Sequence, residues 1–339
     1  PGYYYRPSSD LSVNSWIIYL PGGAWCTSKQ DCYNRSLTAY GSSHLVSASF
    51  SYEGFLSNDC NQNPDFCMWN VIVLVYCDGG SFLGNVSGHL KYNTHTLYLR
   101  GGIIFDTLLE YLITATRLGH AGQVLLAGSS AGGMAALTHA DRLYNLLPKS
   151  VKKVQVVVDG AMFVDVPSVS GYNIIAETFQ SVYKVHNLKS SLSAQRCIQN
   201  QTPETEWRCL LPEVFSSYVI TPAFFINSVY DTWQCAHSLK VPCFSTCLDC
   251  NTDALYTMRD AIRHLASQIV KSRKNKVFLT WCPLHIIITK PWIFELIGHP
   301  TLQISLASWL QEDMTQNNVD IVLSLESAHK HCGTILNYS

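Results

Sequence analysis

The sequence predicts an α/β fold: a central, mostly parallel sheet flanked by helices, with disulfide-bearing loop insertions. Three observations carry that expectation. Short apolar runs alternate with helical patterns at the spacing of βαβ units. One such run, Val124-Leu125-Leu126-Ala127, ends in the small-residue turn Gly128-Ser129-Ser130-Ala131-Gly132 and leads into a helical pattern from Gly133 to Leu147. The chain has 339 residues, of which 47% are hydrophobic and 14% charged, enough to bury the core of one large domain.

The elements follow in order. Trp16-Ile17-Ile18-Tyr19-Leu20 reads as a buried strand, and Pro21-Gly22-Gly23-Ala24-Trp25-Cys26 follows it as a turn. Cys26 and Cys32 sit on that loop, close enough for a local disulfide that would stiffen it. Residues 38–63 show little periodicity and read as a surface excursion. Val71 to Tyr76 is a second strand, closing on Cys77-Asp78-Gly79-Gly80. Gly101 to Leu118 is helical, with Ile104, Leu108, Leu112 and Ile113 on one stripe. Gln123 to Ala127 and Val154 to Val158 are strands, the latter ending in Asp159-Gly160. Tyr172 to Trp207 reads as an insertion or cap in which Cys197 and Cys209 could pair. Ala223 to Val229 is a strand that runs into Tyr230-Asp231-Thr232-Trp233-Gln234. Leu239 to Thr252 is cysteine-rich and irregular, and its Cys247-Leu248-Asp249-Cys250 favours a disulfide loop over a lone metal site. Ala254 to Ser272 is helical, Lys276 to Thr280 a strand ahead of Trp281-Cys282-Pro283-Leu284-His285, and Thr301 to Gln311 a late helix. No linker divides the chain, so residues 1–339 are expected to form a single catalytic domain.

The turn at residues 128–132 fits G-x-S-x-G. At such an elbow a strand end exposes the serine hydroxyl, and the following helix offers free N–H groups to a developing oxyanion. The alternative is a plain tight turn. A serine needs a base to take its proton, and the base needs an orienting acid. In the α/β-hydrolase order these come as Ser, Asp, His, each beyond a strand end. Ser130, Asp231 and His285 satisfy both order and placement. Asp159 also ends a strand and is either the acid or a support for the loop beneath the site. His299 is the rival base; His264 falls within a helix, His237 is too close to Asp231, and His329 and His331 lie in the C-terminal tail. The Gly-Gly pair after the first long strand is either an ordinary βα turn or the second half of an oxyanion hole.

Bulk properties exclude other classes. A formal net charge of −1 offers no basic field for nucleic acid. No apolar run reaches the ~18 residues of a membrane span. Thirteen cysteines and the sequons at Asn34, Asn85, Asn200 and Asn337 point to a secreted, disulfide-bonded glycoprotein. The opening Pro1-Gly2-Tyr3, without Met or signal peptide, reads as a fragment whose leader is missing. A monomer is expected.

Several blocks together resemble the pectin acetylesterase/Notum family. They are Leu20-Pro21-Gly22-Gly23-Ala24-Trp25-Cys26, Asn63-Pro64-Asp65-Phe66 with Trp69-Asn70, Tyr76-Cys77-Asp78-Gly79, Gly128 to Gly133 and Tyr230 to Gln234. The resemblance runs nearly end to end and keeps its order. It implies a secreted, α/β-hydrolase-like serine carboxylesterase that needs no metal or other cofactor. It carries the nucleophile onto Ser130, the acid onto Asp231 and the base onto His285, and the oxyanion donors onto the backbone N–H groups of Gly23, Ala24 and Ala131. It also implies that Cys77 pairs with a cysteine just upstream of Pro1. Tyr76-Cys77-Asp78-Gly79 and Asp231-Thr232-Trp233-Gln234 look like the plant-type pectin acetylesterases. Gly128-Ser129-Ser130 and the apolar run Ile286-Ile287-Ile288 look like Notum. The chain departs from both branches at Pro21, where an acidic residue is usual, and at Leu284, where Ser or Ala is usual. The resemblance implies an enzyme releasing acetate from acetylated cell-wall polysaccharide. The alternatives are a Notum-like carboxylesterase removing palmitoleate from a lipidated protein (Wnt), and a catalytically inactive secreted binding protein on the same fold.

Overall fold

A computed structural model describes residues 1–190, 195–242, 252–290, 301–311 and 319–322. In chain order, strands β1 (Tyr3–Arg6) and β2 (Ser15–Leu20) precede helix α1 (Lys29–Ser36). Strand β3 (Asn70–Leu74), the small hairpin β4 (Leu90–Tyr92) and β5 (His95–Leu97), and helix α2 (Gly101–Ala115) follow. Then come β6 (Gln123–Ser129), α3 (Ala131–Leu146), β7 (Lys153–Asp159) and α4 (Ile174–Val185). The short helices α5 (Gln195–Ile198) and α6 (Pro212–Phe215) lead to β8 (Ala223–Ser228), α7 (Asp253–Ile269), β9 (Lys276–Thr280), α8 (Leu302–Gln311) and β10 (Val319–Val322).

Eight strands form one sheet in the order β1-β3-β2-β6-β7-β8-β9-β10. Every neighbouring pair is parallel except β1 and β3, which pair antiparallel from Tyr3↔Leu74 to Arg6↔Val71. Parallel strands covered on both faces read as unbroken apolar runs, and the central strands do so. Alternate residues feed two cores. Trp16, Ile18, Leu126, Val156 and Phe225 pack with the buried faces of α2, α3, α4 and α7. Ile17, Tyr19, Leu125, Val157 and Phe224 pack with α8 and with Phe55 and Leu56.

The expected elements are present, with corrections at their edges. The elbow strand extends through Ser129, and its helix starts at Ala131 rather than Gly133. The buried stripe of α2 is Phe105, Leu108, Leu109 and Leu112; Ile104 and Ile113 only flank it. Cys32 lies in α1 rather than on a loop. Within residues 38–63, Phe55 and Leu56 are fully buried, so this excursion carries a core anchor. Disulfides join Cys26–Cys32 and Cys197–Cys209, both expected, and Cys60–Cys67, which was not. Cys243, Cys247, Cys250, His299, His329, His331 and Asn337 lie outside the described residues.

In a parallel sheet all strands deliver their C-terminal ends to one edge. Here that edge gathers Pro21 after β2, Ser130 after β6, Asp159 at the end of β7, Asp231 after β8 and His285 after β9. Residues distant in sequence are thereby brought to one edge.

Candidate active site

The elbow is built by close backbone approach. A Cβ on Gly128 would lie 2.1 Å from the carbonyl oxygen of Gly132, and one on Gly132 would lie 2.0 Å from that of Leu20. Only hydrogen fits at either place, so the chain reverses sharply between them. Ser130, the residue at the apex, has φ 56° and ψ −128°. That conformation costs a non-glycine residue about 1–3 kcal/mol. It is held by the Ser130 N–H, which donates to the Asp159 carbonyl at 2.7 Å, and by the start of α3, where Gly133 N donates to Ser130 O at 2.9 Å.

Ser130 Oγ lies 2.7 Å from His285 Nε2, and His285 Nδ1 lies 2.8 Å from Asp231 Oδ2. Asp231 is fully buried, and its other oxygen accepts the N–H of Gln234 at 2.9 Å. The imidazole is stacked on Trp233, with ring centroids 5.8 Å apart. Burial works to lower the basicity of His285, but the Asp231 carboxylate outweighs it and the net displacement is upward from 6.5.

Asp159 plays a different part from Asp231. Its Oδ2 accepts the Ser129 hydroxyl at 2.9 Å and the Ile287 and Ile288 N–H groups at 3.1 and 3.2 Å. Tyr19 donates to Ser129 Oγ at 2.8 Å, which extends the network to β2. Asp159 therefore holds the segment that carries His285, the second of the two roles its sequence position left open. Burial pushes its carboxyl up to about 7 against the pull of those donors. His264 lies on the exposed face of α7 with its Nε2 against Gln268, and His237 packs on the Trp233 ring at 5.3 Å rather than on Asp231.

Gly23 and Ala24 line the cleft with Ser130, Ala131 follows Ser130 in the chain, and none of their N–H groups donates to an acceptor among the described residues. Ala131 is the first residue of α3, whose dipole adds positive potential there. The Gly-Gly loop is tied down by its neighbours. Arg35 Nη2 donates to the Gly23 carbonyl, Tyr76 Oη to the Ala24 carbonyl at 2.5 Å, and Cys26 N to Gly79 O at 2.9 Å. Sequence reasoning missed Arg35, Tyr76 and Tyr19; only the Cys26–Cys32 pair hinted that α1 braces this loop.

The site opens into a cleft of about 660 Å³. Its walls mix Phe50, Leu56 and Ile286 with Tyr40, Glu53 and Lys290. Ile288 is fully buried and Ile287 packs into the core, so of the Ile286-Ile287-Ile288 run only Ile286 lines the cleft. Among the described residues, one group has metal-ligand spacing: Cys26, Cys32 and His186. Its two sulfurs are bonded to each other and have no thiolate to offer.

Fold and site together define a class: an α/β-hydrolase-like protein with a serine, an imidazole and a carboxylate in hydrogen-bonded series beside a row of free backbone N–H groups. The chain belongs to the pectinacetylesterase family, whose model matches residues 1–330. It is 32% identical to pectin acetylesterase 5 of Arabidopsis thaliana, over 91% of this chain and 75% of that protein. It is 30% identical to pectin acetylesterase 11 of the same plant, over 94% and 84%. It is also 30% identical to the palmitoleoyl-protein carboxylesterase NOTUM of Schmidtea mediterranea, over 91% of this chain but only 59% of that protein. The chain is a carboxylic ester hydrolase.

Proposed function

We propose that this enzyme releases acetate from an acetylated, pectin-type polysaccharide by a covalent acyl-enzyme mechanism. The observation that carries the chemistry is the continuous hydrogen-bonded series Ser130 Oγ, His285, Asp231, at 2.7 and 2.8 Å. Ser130 Oγ attacks the acetyl carbonyl as His285 Nε2 takes its proton. Asp231 keeps the imidazole in the tautomer that presents Nε2 as acceptor, and stabilises the imidazolium. The N–H groups of Gly23, Ala24 and Ala131 receive the oxyanion. His285 then protonates the departing sugar oxygen. Water, deprotonated by the same imidazole, cleaves the acyl-enzyme and frees acetate. No step requires a metal or other cofactor.

The polysaccharide reading rests on the pectin acetylesterase relatives and on a cleft whose walls carry Tyr40, Glu53 and Lys290 beside Phe50 and Ile286. The run Ile286-Ile287-Ile288, which points toward a lipid acyl group in sequence, spends two of its three side chains on the core. Three disulfides among the described residues suit an oxidising compartment, and we place the enzyme outside the cell, acting as one catalytic domain and as a monomer. The deciding experiment is the rate against acyl-chain length on nitrophenyl esters, together with acetate release from acetylated pectin. The proposal predicts a two-carbon optimum and acetate release. An optimum at eight carbons or longer would replace it with the deacylation of lipidated proteins. Absence of turnover on any ester would leave a binding protein.

A further inference from the structure

We infer that Arg35 is a positioning residue that sets and polarises an oxyanion donor through the Gly23–Ala24 peptide. The inference rests on the acyl-enzyme reading above and adds a residue to it. A trans peptide points its C=O and its N–H in opposite directions. Arg35 donates to the Gly23 carbonyl, so the N–H of the same peptide, that of Ala24, is directed away from the guanidinium; Arg35, Gly23, Ala24 and Ser130 all line the one cleft, and we place the Ala24 N–H on the Ser130 side of it. Ala24 has φ 53°, a left-handed conformation that a residue with a Cβ does not choose unaided. The Arg35 contact on the Gly23 carbonyl and the Tyr76 contact on the Ala24 carbonyl hold it there. Burial pushes the Tyr76 phenol above its ordinary range, so that it remains a donor.

The guanidinium is itself well placed to polarise. Its carbon lies 5.2 Å from the ring centroids of both Tyr40 and Tyr76. No carboxylate among the described residues pairs with it, and its buried Nε has no acceptor. Its charge thus meets no carboxylate and bears on the Gly23 carbonyl and the Tyr76 hydroxyl. A cation bonded to a peptide oxygen draws electron density from the nitrogen and makes the N–H a stronger donor. Helix α1 brings Arg35 to this place. Ser28 caps the helix, Thr27 N donates to Asp31 Oδ2 at 2.8 Å, and the Cys26–Cys32 disulfide joins the helix to the loop it braces.

The test is steady-state kinetics of Arg35→Met and Arg35→Lys on 4-nitrophenyl acetate, a neutral ester with no acid group for Arg35 to bind. A lost oxyanion donor costs about 100- to 1000-fold in kcat, so weakening one predicts a fall of about 10- to 100-fold for Arg35→Met. KM stays within about twofold, and Arg35→Lys recovers most of the loss. The affinity of an aryl trifluoromethyl ketone, which adds Ser130 as an oxyanion, falls in step with kcat/KM. The affinity of its methyl ketone parent is unchanged. Unchanged kcat in Arg35→Met, a change confined to KM, or equal losses of both ketones would overturn the inference. Should Arg35→Met not fold, the same criteria apply to Arg35→Lys and to Tyr76→Phe. Turnover surviving in Ser130→Ala would instead remove the acyl-enzyme reading, and is measured separately.

Discussion

Replacing Asp159 separates support of the catalytic loop from catalysis itself. In Asp159→Ala the Ile287 and Ile288 N–H groups lose their acceptor, and Ser129 loses the partner that orients it. Leaving a buried N–H unpaired costs about 1–3 kcal/mol, and the Ile287 N–H is only partly buried, so the two together predict a loss of about 2–4 kcal/mol. His285 lies two residues before Ile287, and a displacement of about 1 Å in a reacting group costs about 100-fold in rate. Asp159→Asn behaves differently, because an amide resembles the neutral acid and keeps an oxygen for Ser129 and Ile288. The wild-type carboxyl is raised from 3.8 to about 7. A raised acid contributes its full stabilisation at low pH, where folded and unfolded states both hold the proton. That contribution is lost as pH climbs from 3.8 toward 7, because the unfolded chain ionises first. The total is at most about 4 kcal/mol. Guanidinium unfolding of wild type, Asp159→Ala and Asp159→Asn between pH 4 and 8 measures it. The expected result is a destabilised Asp159→Ala and an Asp159→Asn whose stability gains on wild type as pH rises. Equal stability of Asp159→Ala and wild type, or parallel pH curves for wild type and Asp159→Asn, would refute the reasoning.

Other outcomes follow from the same geometry. Asp231→Asn lowers kcat by about 10,000-fold, since the imidazole loses its orienting carboxylate; a loss below tenfold on 4-nitrophenyl acetate contradicts this. kcat/KM rises with pH through a pKa above 6.5, because turnover needs neutral His285 and Asp231 holds its proton on. The stability that His285 draws from Asp231 is complete below 6.5 and declines as pH passes the folded value. A rising limb centred below 6.5 would contradict both statements. Removing the Cys26–Cys32 disulfide by a double Ser substitution costs about 2 kcal/mol for so short a loop. Activity falls further than stability, because the loop carries Gly23 and Ala24; unchanged kcat in the folded variant would separate the disulfide from the oxyanion site.

The sheet was legible because its strands are buried on both faces. Lys276–Thr280 is one run whose observed limits coincide with those read from the sequence. The edge strand β1 was not legible: Tyr3-Tyr4-Tyr5-Arg6 is half-exposed and carries no apolar run. The elbow and the order of Ser130, Asp231 and His285 follow from local chemistry, a turn only glycine permits and polar residues just past strand ends. Phe55 and Leu56 were missed because a turn anchored by Asn63, which donates to the Phe55 and Ser57 carbonyls at 2.8 Å, has no period to detect. Arg35 and Tyr76 were missed for a related reason. Each acts on a backbone carbonyl 12 or 52 residues away, and nothing in the type of a residue announces such a contact.

The claim on which the account turns is that one hydroxyl, Ser130, carries the acyl group. Peptide mapping after treatment with a fluorophosphonate tests it directly. The predicted result is a single adduct, on Ser130, that is absent from Ser130→Ala together with all turnover. An adduct on another serine, or esterase activity persisting in Ser130→Ala, would contradict it.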